Sequence, residues 1–238
     1  MLTTLIPMII CIVASTVFIC LGCTKGKLYG LISKIVASAC FVGAGIFAIT
    51  QMDDNINANM ANHPDWAWFL VAGLILGLVG DIFMDLKEQG LKDKDMYLNT
   101  GMLSFGIGHF MYYAGLTLCV PIRCNILIPT AIALVLGVII TILIFVNAGS
   151  MKIEWGKFKW QSFVYSVALV SMFVYAVAIT ILDKTRWIFA LAMGLFLISD
   201  LLLSLIYFGK RETKTMHALN WLTYYTAQQL IVLFMFLI

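Results

Sequence analysis

Residues 124–147, CNILIPTAIALVLGVIITILIFVN, run for 24 positions without a single charge. As a helix such a run covers about 36 Å at ~1.5 Å per residue. That exceeds a bilayer hydrocarbon core of about 30 Å, which takes ~20 helical residues to cross. A surface helix of a soluble domain needs a polar face, and this run has none. Nor does it alternate as a barrel strand would. The rest of the chain agrees: 62% of its 238 residues are hydrophobic and 11% are charged, with a mean hydropathy of +1.00, whereas soluble chains carry about 25% charge. The expected class is an all-α, polytopic membrane bundle forming a single transmembrane domain over 1–238.

Breaks of charged and turn-forming residues divide the chain into eight apolar spans, at 2–22, 30–50, 67–86, 98–118, 124–147, 162–182, 187–208 and 218–238. The first follows MLTT, without a basic region or a small-residue cleavage site, and is expected to be a retained helix. The connections are short, so lysine and arginine counts decide orientation. The odd-numbered loops hold eleven basic residues, from Lys25 to Lys214, and the even-numbered loops three, Arg123, Lys184 and Arg186. Odd loops are therefore expected in the cytoplasm and both termini outside. The net charge of +3 reflects this bias and leaves no nucleic-acid footprint. Trp66, Trp68, Trp155, Trp160, Trp187 and Trp221 fall near span ends, as an interfacial aromatic belt does. Cys20 and Cys23 form a CxxC without the further ligands of a zinc site, and Cys119 and Cys124 flank an outer turn where oxidation could join them. The polar stretch Gln51 to Trp66 reads as a solvated outer loop. No metal or cofactor is called for.

Against this apolar background Asp81 and Asp200 stand inside spans three and seven. A charged side chain at the centre of a membrane helix costs roughly 2.5–3.5 kcal/mol on insertion scales. With the orientation above, Lys34 and Asp81 lie about 6–9 Å from the cytoplasmic ends of their helices, Tyr224 about 9 Å, Asp200 about 12 Å, Gln228 about 15 Å and His109 about 18 Å. Polar groups from several helices at one depth are expected to line one polar cavity open to the cytoplasmic leaflet. Asp85 follows Asp81 by one turn, and Ser199 and Asn99 are candidate supporting hydrogen-bonders. Gly73, Gly77 and Gly80 give span three a small-residue packing face; Gly80 could also let a substrate approach Asp81. The competing structural reading is a buried ion-pair network joining the acids to Lys34 or His109, and Lys34 alone could snorkel to the interface. Asp81 and Asp200 stand 119 residues apart, as do His109 and Gln228, and Phe105 and Tyr224. That offset suggests a 4+4 parallel repeat.

The same residues carry a resemblance. Gly80-Asp81, the GxxxFxxGHxxYY pattern from Gly101 through Phe105, Gly108, His109, Tyr112 and Tyr113, then Ser199-Asp200 and the final helix with Tyr224-Tyr225 and Gln228 resemble the YhhN family. The chain has Lys34-Ile35 where that family often has Lys-Pro. Members include the lysoplasmalogenases, eight-span membrane hydrolases. The resemblance implies cleavage of the vinyl-ether bond of a lysophospholipid, releasing a fatty aldehyde and a glycerophospho-headgroup compound, without a cofactor. It implies Asp81 and Asp200 as the catalytic acids, either of them the proton donor, with Asp200 the first choice. His109, Tyr224, Gln228 and Ser199 would support them, and Lys34 would meet the substrate phosphate. Compact loops point to a bacterial cytoplasmic membrane. The rival reading from another class is a proton-coupled transporter of a small or lipid-like substrate, and a third is a scaffold or lipid-binding module with a structural polar core.

Overall fold

A computed structural model describes residues 2–24, 27–51, 65–89, 92–120 and 125–238. The described residues form eight α-helices and no strand: α1 (Leu2–Thr24), α2 (Lys27–Gln51), α3 (Asp65–Glu88), α4 (Lys94–Cys119), α5 (Leu127–Val146), α6 (Lys159–Leu182), α7 (Trp187–Tyr207) and α8 (Lys214–Leu237). Each falls on one expected span. Several run past it, α4 by four residues and α8 by four at their starts. Hydropathy marks the lipid-buried part of a helix, while its hydrogen-bond ladder continues into the polar layer. Five helices are long and apolar enough to cross a membrane, and α1 holds a shorter apolar stretch, Ile6–Gly22. By the same measure α4 and α8 fall short, because they carry His109, Asn220, Gln228 and other polar residues. The outer loop 52–64 and the Cys119–Cys124 pairing lie outside the described residues.

The helices group into two compact units, one of Met1–Pro121 with Gln228–Ile238, the other of Ile122–Ala227. The centre of the first is the α3–α4 pair, which interlocks in a single antiparallel register. Met84 meets Gly101, Phe105 lies over Gly80, Tyr112 over Gly73, and Leu70 over Gly115. On both helices these positions are three, four or seven residues apart, the spacing of a helix-packing seam. Each pair sets a glycine against a large side chain, which fills the space opposite. The backbones approach closely: a Cβ on Gly108 would lie 3.4 Å from the Gly73 carbonyl oxygen. Gly73 and Gly80 of the expected glycine face thus pack closely against α4. The space beside Gly80 is taken by the Phe105 ring, 2.7 Å from where a Cβ would stand, and is not a route for substrate. Without a hydrophobic drive between helices in lipid, such close packing is what holds them together. Alanine at Gly73 would collide with the Tyr112 ring. Gly73→Ala is expected to lose about 1–3 kcal/mol of stability, read as a lower melting temperature in detergent. Gly43→Ala, which meets nothing within 4 Å, is the control and should match the parent.

Around that pair, Gly45 of α2 receives Leu74 and Met235, and the Gln229 amide donates to Ser15 Oγ at 2.8 Å and the Cys11 carbonyl at 3.3 Å, tying the end of α8 to α1. The outward residues of α1, Ile6, Ile9, Ile10, Ile12, Val13 and Val17, are exposed and apolar.

In the second unit α5 buries only Pro129, Ala133, Gly137 and Thr141, four residues four apart. Gly137 sits directly against Ser171 of α6. The remaining faces of α5 expose isoleucine, leucine and valine, far more apolar surface than a soluble monomer tolerates and what a lipid-facing helix requires. The α6–α7 turn is closed by Asp183, which accepts hydrogen bonds from the Thr185 backbone N–H at 3.0 Å and hydroxyl at 2.6 Å and pairs with Arg186 at 3.0 Å. Burial pulls the Asp183 carboxyl upward, but those hydrogen bonds and the Arg186 charge outweigh it and hold it below the usual range.

Candidate functional site

Asp81 is buried, with 3% of its surface exposed, and so is Lys34, with 7%. Two pairs of residues spaced by one helical turn face each other: Lys34 and Ser38 on α2, Asp81 and Asp85 on α3. Lys34 Nζ lies 2.8 Å from Asp85 Oδ1 and 3.5 Å from Asp81 Oδ1. The Ser38 hydroxyl donates to Asp81 Oδ2 at 2.6 Å. Lys34 therefore neither snorkels nor reaches outward toward a headgroup. A buried ammonium needs counter-charge, and two carboxylates one turn apart supply it. An ammonium and a carboxylate in contact exchange donor for acceptor in one sense only, since an ammonium can accept nothing. Toward Asp81, Lys34 can therefore only donate.

In the same unit, His109 Nδ1 lies 2.6 Å from the carbonyl oxygen of Phe105, one turn earlier on α4. A carbonyl can only accept, so Nδ1 carries the proton, and in the neutral ring Nε2 keeps its lone pair. Next along the helix, the Tyr112 hydroxyl donates to Gln228 Oε1 at 2.8 Å, and the His109 and Tyr112 rings meet edge to face at 6.2 Å. Gln228 is fully buried. Of the GxxxFxxGHxxYY motif, then, the glycines, Phe105 and Tyr112 set the α3–α4 register, and His109 is the member whose ring can take up or release a proton.

The second unit holds Asp200, half-buried on α7, which accepts a hydrogen bond from the Tyr165 phenol of α6. A phenol is unlike an ammonium: its oxygen donates to a carboxylate and equally accepts from a carboxylic acid. Ser199 turns to α8, where Asn220 Nδ2 donates to its carbonyl at 2.7 Å and its hydroxyl at 2.9 Å. It staples α7 to α8. Tyr224 packs edge to face on Phe196 at 5.4 Å. Asn99 is exposed at the start of α4. Among the described residues no group of three His, Cys, Asp or Glu side chains gathers as a metal ion would require.

Three contributors escape a sequence reading. Ser38 follows Lys34 by one turn, a signal that could have found it. Tyr165 and Asn220 are single polar residues in apolar helices, and nothing local marks which way they face.

No curated protein and no solved structure matches the chain. The sequence model of one family does, over residues 31–235, a stretch that takes in every candidate residue from Lys34 to Gln228. The chain belongs to the YhhN family.

Proposed function

We propose that the chain is a membrane-embedded hydrolase that cleaves the vinyl-ether bond of lysoplasmalogens. The observation that carries this reading is the unlike charge beside the two intramembrane acids: the Lys34 ammonium by Asp81, the neutral Tyr165 phenol on Asp200. Enol-ether hydrolysis needs that division. An acid protonates the β-carbon of the C=C bond, and the electrons of the ether oxygen make an oxocarbenium ion at the neighbouring carbon. A carboxylate stabilises the cation and orients a water that adds to it. The hemiacetal so formed collapses to aldehyde and a glycerol hydroxyl, and the proton returns to the acid. One water is consumed and no other reactant is needed. Asp200 is the proton donor, because its tyrosine partner accommodates both protonation states. Asp81, kept as a carboxylate by Lys34, orients water. His109, Gln228 and Tyr224 support the water and the acids. The pairing of acid with carboxylate parallels glycoside hydrolysis as an analogy of chemistry.

In this reading all eight helices cross the membrane, with both termini outside and the basic odd loops in the cytoplasm of a bacterial cell. A single-chain lipid enters from the inner leaflet, its tail along the helices and its ether below the phosphate, at the depth of the acids.

Aldehyde release by purified protein in detergent tests the reaction. Lysoplasmenyl-ethanolamine or -choline should yield aldehyde, while the saturated alkyl-ether analogue, which has no carbon to protonate, should yield none. Detergent leaves no second compartment, so activity there separates a hydrolase from a transporter. Absence of aldehyde across several vinyl-ether lysolipids would sink the proposal.

A further inference from the structure

At one end of the second unit, the loop between α5 and α6 and the loop between α7 and α8 fold together. The Glu154 N–H donates to the Phe208 carbonyl at 2.9 Å, Lys210 Nζ pairs with Glu154 Oε2 at 2.7 Å, and Arg211 donates to the Met151 carbonyl at 3.4 Å. Beneath them Trp155 is buried, stacked on Phe145 at 4.4 Å with its plane 5° from parallel and packed on Phe208 at 5.1 Å. Ile153 and Ala148 complete this small core. Connections between membrane helices need no such core, so the loops form a built platform.

The platform is strongly basic. Lys152, Lys157, Lys159, Lys210, Arg211 and Lys214 are all exposed, with Glu154 and Glu212 as the acids among them, six cations against two carboxylates. Two of those lysines, Lys152 (φ 56°) and Lys210 (φ 54°), hold left-handed backbone, which glycine adopts without steric cost and lysine does not. Trp160, 74% exposed at the start of α6, adds an aromatic ring of the type that settles at headgroup depth. Directly beyond it run the apolar exposed faces of α5 and α6.

We propose that this platform binds the headgroups of anionic phospholipids. Cations supply the charge complementarity. The rigid loops fix their spacing, and continuity with lipid-facing helices favours a membrane surface over a soluble acidic partner. This inference stands apart from the hydrolase reading and survives its failure.

The test is lipid titration of the purified full-length protein in neutral detergent, with retained lipid measured by native mass spectrometry and stability by thermal unfolding. Phosphatidylglycerol should bind and raise the melting temperature, phosphatidylcholine should not, and the difference should shrink in high salt. Lys152→Gly relieves the strained backbone, so its melting temperature without lipid should equal or exceed that of the parent, while phosphatidylglycerol affinity falls about five-fold, the worth of one cation near a charged surface. Lys152→Gly with Lys157→Gln and Lys159→Gln should fall about a hundred-fold. Equal retention of the two lipids, unchanged phosphatidylglycerol binding by the folded variants, or full displacement by inorganic phosphate would overturn the proposal.

Discussion

Lys34→Met is expected to lose about 3 kcal/mol of stability, because removing one partner of a buried ion pair strands the charges left behind. Here two are stranded, Asp81 and Asp85, one turn apart on α3 and both within 3.5 Å of the ammonium. Thermal unfolding in detergent should show the loss as a markedly lower melting temperature. Adding Asp85→Asn to that variant should recover part of it, since one of the two like charges is gone while Ser38 still donates to Asp81. The rescue distinguishes two roles. A lysine reserved for the substrate phosphate would leave the melting temperature unchanged on removal and raise KM instead. That outcome, or a double variant no more stable than Lys34→Met, would separate Lys34 from the acids.

Why depth could be read from the sequence and direction could not is clearest at this lysine. Counting residues from a span end gives height to within a turn, and it put Lys34 and Asp81 at one level. Which side of α2 the lysine occupies depends on what the neighbouring helix offers at that level, and the offer came from Asp85 as much as from Asp81. The glycines of α3 show the same limit. Their spacing announced close packing, but the occupants, Phe105 and Tyr112, belong to a motif whose histidine draws attention to chemistry. Tyr165 and Asn220 were invisible for a simpler reason: a lone tyrosine or asparagine in an apolar helix has no periodic company, so nothing points to Asp200 or Ser199 until α6, α7 and α8 are packed. The helices themselves were legible because a bilayer allows an isolated apolar segment no other backbone structure.

Asp200→Asn is expected to lower kcat for aldehyde release by about 10²–10⁴-fold, the range of a general acid, and to leave the fold intact. The asparagine carbonyl still accepts the Tyr165 hydrogen bond, so packing between α6 and α7 survives. Asp81→Asn should also fold, because Asp85 remains as the closer counter-charge of Lys34 at 2.8 Å, and should likewise lose turnover. In the proposed mechanism Tyr165, hydrogen-bonded to Asp200, is a positioning residue: Tyr165→Phe should lower kcat about ten-fold, leave KM near the parent value and alter the acidity dependence of kcat. A purely structural tyrosine would change melting temperature and expression together and leave the pH profile where it was. Full turnover in folded Asp200→Asn would remove Asp200 from the proton-donor role. Equal losses in Asp81→Asn and in the double variant would mean that the two acids work as one unit, since groups acting in a single step lose their contributions together.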